Sequence, residues 1–144
     1  MTTGFQLVFD CADPERMAGF WSRALGYQLQ QPPAGFDSWD AFLASIGVAE
    51  AQRHDASAIV DPGGVLPRIF FQKVPEPKVA KNRLHLDVHA SAGTHDPEAR
   101  RSLVDAAVLR LIALGATDAR GPMAKNGEYW VRMNDPEGNE FCVQ

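Results

Sequence analysis

Asp13-Pro14-Glu15 and, in the second half of the chain, Asp96-Pro97-Glu98 decide how this sequence is read. In each triplet the aspartate can cap a helix, and the proline suits the first helical position, where no N–H is needed. The glutamate meets the positive end of the helix dipole. The helix opened by Asp13 carries Met17, Phe20, Trp21, Ala24 and Leu25 at helical spacing and stops at Gly26. The helix opened by Asp96 carries a broad apolar stripe, Leu103, Val104, Ala107, Val108, Leu111 and Ile112, and stops at Gly115. Both end on the same tripeptide, Ala24-Leu25-Gly26 and Ala113-Leu114-Gly115.

Working outward, each helix is preceded by an alternating segment that predicts a half-buried strand. In the first, Phe5, Leu7 and Phe9 alternate with Gln6, Val8 and Asp10; in the second, Leu84, Leu86 and Val88 alternate with His85, Asp87 and His89. Strands are predicted after the first helix at Tyr27–Gln30, Ala56–Asp61 and Arg68–Val74, with a short helix over Ser38–Ile46. After the second helix they are predicted at Thr117–Ala119, Tyr129–Met133 and Glu140–Val143, with Asn126-Gly127 as a hairpin turn. The turn Asp61-Pro62-Gly63-Gly64 matches Asp135-Pro136-Glu137-Gly138. The stiff connector Val74-Pro75-Glu76-Pro77 marks an internal boundary, giving modules of about 1–77 and 78–144 within one domain, 1–144. A duplicated unit predicts two matching halves, and the expected class is α+β, two βαβββ modules packed together.

With 144 residues, 45% hydrophobic and 22% charged, the chain has material for a core without disulfides or metal. Fourteen basic against eighteen acidic residues, a net charge of -4, and no basic run speak against nucleic acid as a partner. No apolar stretch reaches the ~18 residues of a membrane helix. The N-terminus has no secretory leader pattern, so a cytoplasmic location is expected. Cys11 and Cys142 make no disulfide framework, and no glycine-rich phosphate loop occurs.

In the order they occur, these motifs resemble the vicinal-oxygen-chelate superfamily, and within it the small glyoxalase-like proteins. The resemblance is carried by Asp13-Pro14-Glu15-Arg16 with Phe20-Trp21 and Ala24-Leu25-Gly26-Tyr27, by Phe70 through Lys78, by Asn82-Arg83-Leu84-His85-Leu86-Asp87, and by Asp135 through Cys142. It implies paired βαβββ modules whose curved mixed sheets enclose a small-molecule cup, commonly in homodimers. It does not fix a reaction, because such superfamilies host isomerases, dioxygenases, thiol transferases and antibiotic binders.

Taken alone, the polar strand faces meet water, as in any one-sided antiparallel sheet. The resemblance implies instead that they line the cup, with Gln6, Phe70, Gln72, His85, Asp87, Trp130, Arg132 and Cys142 as candidate ligand-binding residues. Trp130 would offer a stacking surface and Arg132 an anion contact, or the pair are a core residue and a solvated one. Metal-dependent members place ligands on the first and last strand of each module. By motif these positions fall on Gln6, on His85, on Cys142 where a glutamate is usual, and on Phe70 or Gln72.

Gln6, His85 and Cys142 are therefore the metal candidates, with zinc or nickel as the ion. Of the two histidines and carboxylate that an iron dioxygenase needs, the set has one histidine and lacks the other two ligands. It also lacks the carboxylate that would act as base in glyoxalase-type isomerisation. His85 and Glu140 are the catalytic candidates, Asp87 adding a further carboxylate. Strand spacing of about 7 Å between same-face neighbours keeps His85 from tight contact with Asp87. The expected function is small-molecule binding without an intact catalytic metal site. The alternative is a divalent-metal lyase or isomerase of the lactoylglutathione lyase type.

Overall fold

The computed structural model describes residues 1–144, in two compact units, Met1–Pro77 and Lys78–Gln144. The first unit runs β1 (Leu7–Cys11), α1 (Pro14–Leu25), β2 (Gln28–Leu29), α2 (Trp39–Ser45), a single 3-10 turn (Glu50–Gln52), β3 (Ala56–Val60) and β4 (Ile69–Lys73). Its sheet has the order β1-β4-β3-β2, with β1 parallel to β4 and the other pairs antiparallel. The second unit runs β5 (Asp87–Val88), α3 (Pro97–Leu114), β6 (Thr117–Lys125), β7 (Glu128–Asn134) and β8 (Glu140–Val143). Its order, β5-β8-β7-β6, is the same arrangement, with first strand parallel to last. The α+β fold of two βαβββ units is the one the sequence predicts.

The helix starts follow their sequence chemistry. The Asp13 carboxylate accepts from the Arg16 N–H at 3.0 Å, and Gly26 turns α1 off at φ 74°. Asp96 accepts from the Ala99 N–H at 2.8 Å. Ser38 caps α2 by accepting from the Ala41 N–H. On α1 the face formed by Met17, Phe20, Trp21 and Ala24 is buried. Phe9 lies 5.5 Å from both Trp21 and Phe71, ring centre to ring centre, so strand and helix share one aromatic core. Truncating Trp21 to alanine would cost about 3–5 kcal/mol.

Four expectations need correction. Phe5 lies outside β1 and is 71% exposed, because the ladder with β4 begins only at Leu7 opposite Ile69. The predicted strand Leu84–His89 shrinks to Asp87–Val88, because the backbone bends at Arg83 and Leu84 and joins β8 only where Asp87 meets Cys142; Leu84 is exposed. On α3 only Val104 and Leu111 are fully buried; Leu103 and Ile112 lie at the stripe's margins and are exposed. The strand predicted at Thr117–Ala119 runs on to Lys125, passing Gly121 and Pro122 through a register shift between Asp118 and Pro122. An edge strand tolerates that proline, because its missing N–H breaks no ladder on the outer side.

Candidate functional site

In the second unit, the register sets Asp87, Cys142 and Arg132 side by side across β5, β8 and β7. They share the sheet face opposite the buried Val131, Met133, Phe141 and Val143. Trp130, two residues before Arg132, is half-buried on that face. His85 precedes β5 on irregular backbone, and this is why the strand-spacing argument does not hold there. Its Nε2 reaches Oδ1 of Asp87 at 3.4 Å. One ligand atom each from His85, Asp87 and Cys142 lie within 4.8 Å of one another.

Burial pushes the Cys142 thiol up, and the Asp87 carboxylate adds to that through its charge and as hydrogen-bond partner; Arg132 opposes it. Cys142 therefore stands as a thiol at neutral pH. Glu140, two residues back on the same strand face, is not part of this group. Its carboxylate accepts from the Asn82 N–H at 2.9 Å and pairs with Lys78 at 3.3 Å. Desolvation would raise it, but the N–H groups of Asn82 and Glu140 and the Lys78 ammonium outweigh that and hold it at about 2. It is thus a fixed anion, poorly suited to shuttle a proton near neutral pH.

The first unit repeats the geometry with different chemistry. Val8, Phe70 and Ala58 form its row across β1, β4 and β3. With Gln6 set against His85, two residues ahead of that row, Phe70 stands where Cys142 stands, and Gln72 lies one step beyond, opposite Asp10 and Ala56. Arg68 takes the place of Glu140. Its Nη1 donates to Oε1 of Gln6 at 2.8 Å, its Nε donates to Oε1 of Gln30 at 2.7 Å, and its guanidinium lies 5.1 Å from the Phe70 ring centre. Sequence reasoning passed over Arg68 and Gln30; alternation with Phe70 was the signal for the arginine, and nothing local marked the glutamine.

These contacts decide how a divalent cation would fit. In the second unit, nitrogen, oxygen and sulfur donors converge in a set suited to a borderline ion such as zinc, once the thiol proton leaves. The first unit does not fit the ligand pattern the resemblance implies. Gln6 already gives its oxygen to a cation, and Phe70 has no donor atom.

A cavity of about 390 Å³ opens farther along the second sheet, lined by His89, Ser91, His95, Arg100, Tyr129 and Gln144 among others. His89 and His95 thus share a cavity wall. His54 lies elsewhere, with its Nδ1 2.8 Å from Glu15. Trp39 sits at the start of α2, donates to the Gln30 carbonyl at 2.8 Å and packs edge-on to Phe42.

A family model described as a glyoxalase-like domain matches residues 6–144. No curated protein matches. Among solved structures, a glyoxalase/bleomycin resistance protein/dioxygenase family enzyme from Burkholderia phytofirmans is 19% identical, with a TM-score of 0.61 over 96% of this chain and 94% of that one. A possible glyoxalase from Bacillus cereus is 15% identical, with a TM-score of 0.61 over 100% and 99%. The fosfomycin resistance protein FosX from Mesorhizobium loti is 12% identical, with a TM-score of 0.60 over 99% and 92%. At these identities the likeness is one of fold. No helix is long and apolar enough to cross a membrane. With the family match spanning both repeated units, the chain belongs to the glyoxalase-like domain family.

Proposed function

We propose that this chain is a small-molecule-binding member of its family, one domain of two modules, that works without a glyoxalase-type metal centre. The observation that carries the reading is the Arg68 guanidinium on the Gln6 oxygen. A dication placed there would face a fixed positive charge instead of a free donor. Phe70 at the neighbouring position, which has no donor atom, supports the same reading. The polar faces then serve as contact surfaces, with Phe70 and Trp130 as apolar platforms and Gln6, Gln72, Asp87 and Arg132 as hydrogen-bonding groups.

The His85–Asp87–Cys142 trio supports a second reading, a divalent-metal lyase or isomerase. A zinc ion held there would polarise a substrate oxygen as a Lewis acid. Elemental analysis of protein purified without chelators separates the two readings. We expect substoichiometric zinc and nickel, unchanged by His85→Ala, together with ligand-induced rises in Tm in a metabolite screen. A ligand at a hundred times its Kd adds about 2.7 kcal/mol of stability. One equivalent of zinc that disappears in His85→Ala would favour the lyase instead.

A further inference from the structure

Arg68 is held in place by groups that leave its charge intact. Two other cations of this unit are paired with carboxylates: Arg53 with Asp40 at 3.3 Å and Lys73 with Asp55 at 3.6 Å. Arg68 instead has two amide oxygens, from Gln6 and Gln30, and the face of Phe70. It forms no ion pair, and the carboxylate on its sheet face, Asp10, lies opposite Gln72, four residues along β4 and about 13 Å away at strand spacing. Two of its five N–H groups are spent, and both on Nη2 remain. A half-buried guanidinium oriented by neutral partners retains both its field and its donors, and an oxyanion is the ligand that would use them.

Building on the small-molecule reading, we propose that the ligand is an organic oxyanion, a carboxylate in the first instance, and that Arg68 receives it. Gln6 and Gln30 are positioning residues. They fix the plane of the guanidinium without competing for its charge, as a carboxylate in either place would.

The test titrates the full-length protein with benzoate and with benzamide, which has the same ring and no charge. Binding is followed by the NMR signals of the Arg68 Nε–H and the Phe70 ring. Benzoate is expected to move both signals saturably and benzamide to leave them in place. Arg68→Gln is expected to weaken benzoate about tenfold or more. Gln30→Ala, which keeps the charge but frees its plane, serves if Arg68→Gln fails to fold, and is expected to weaken benzoate to a lesser extent. Benzamide binding as tightly as benzoate, or benzoate binding unchanged in both variants, overturns the oxyanion assignment while leaving small-molecule binding intact. Silence of the Arg68 signal towards benzoate overturns the assignment as well; the metabolite screen then decides the broader reading separately.

Discussion

Cys142 is flanked across its two neighbouring strands by opposite charges, Asp87 on β5 and Arg132 on β7. Its thiol is pushed up first by burial and then by the Asp87 carboxylate, and Arg132 recovers part of that. Asp87→Asn removes the carboxylate's field while preserving shape. Alkylation by iodoacetamide, followed against pH, should then begin at a lower pH than in the unaltered protein. A superimposable profile would mean that the carboxylate has no hold on the thiol. Cys11, 3% exposed in the core, should contribute little to the reaction. His85 was singled out by its place on the strand that opens the second module, and Cys142 by its distance of four residues from Gly138. The His85–Asp87 contact could not be picked out, because it depends on β5 starting late. Arg68 could be placed on the face of Phe70 by alternation, but its distant amide partners, Gln6 and Gln30, could not be read from the sequence.

At the scale of elements, the Asp-Pro turns repeat in structure as they do in sequence. Asp61 accepts from the N–H groups of Gly63, Val65 and Leu66. These donors, Leu66 foremost, lower its carboxyl below the usual range. Asp135 accepts from the N–H groups of Glu137 and Asn139 and from the Asn139 side-chain amide. The difference is burial, for Asp135 is only 2% exposed. Asp135→Ala would strand these donors away from water and should cost about 2–3 kcal/mol. The midpoint of urea unfolding should fall with little change in slope. Asp61→Ala, whose donors can turn to solvent, should shift it less. Helix starts, helix stops and these turns were legible because each rests on neighbours in sequence. Strand lengths were not, since β5 starts only after the backbone bend at Arg83 and Leu84, and β6 continues past Pro122 because it is an edge.

For the molecule as a whole, Glu140 carries the most strongly lowered carboxyl and with it a share of the pH dependence. Its carboxyl stands at about 2 in the folded chain against an ordinary 4.5. A depressed carboxyl pKa contributes stability that is fully present above the ordinary value and fades as pH falls towards the folded one. The unaltered protein should therefore exceed Glu140→Gln by about 1 kcal/mol above that window, allowing for solvent screening of the Lys78 pair. Denaturation curves at a series of pH values should show the two proteins converging as acid is added; a gap that persists at the acid end would remove Glu140 as its source. The position matched to Glu140 by ladder register carries Arg68, so a duplicated architecture holds opposite signs at one address. Each sign comes with its own retinue, Lys78 and Asn82 for the glutamate, Gln6 and Gln30 for the arginine. Anyone building chimaeras from the two halves must transplant these trios intact, because either charged residue moved alone would arrive among hosts unable to accommodate it.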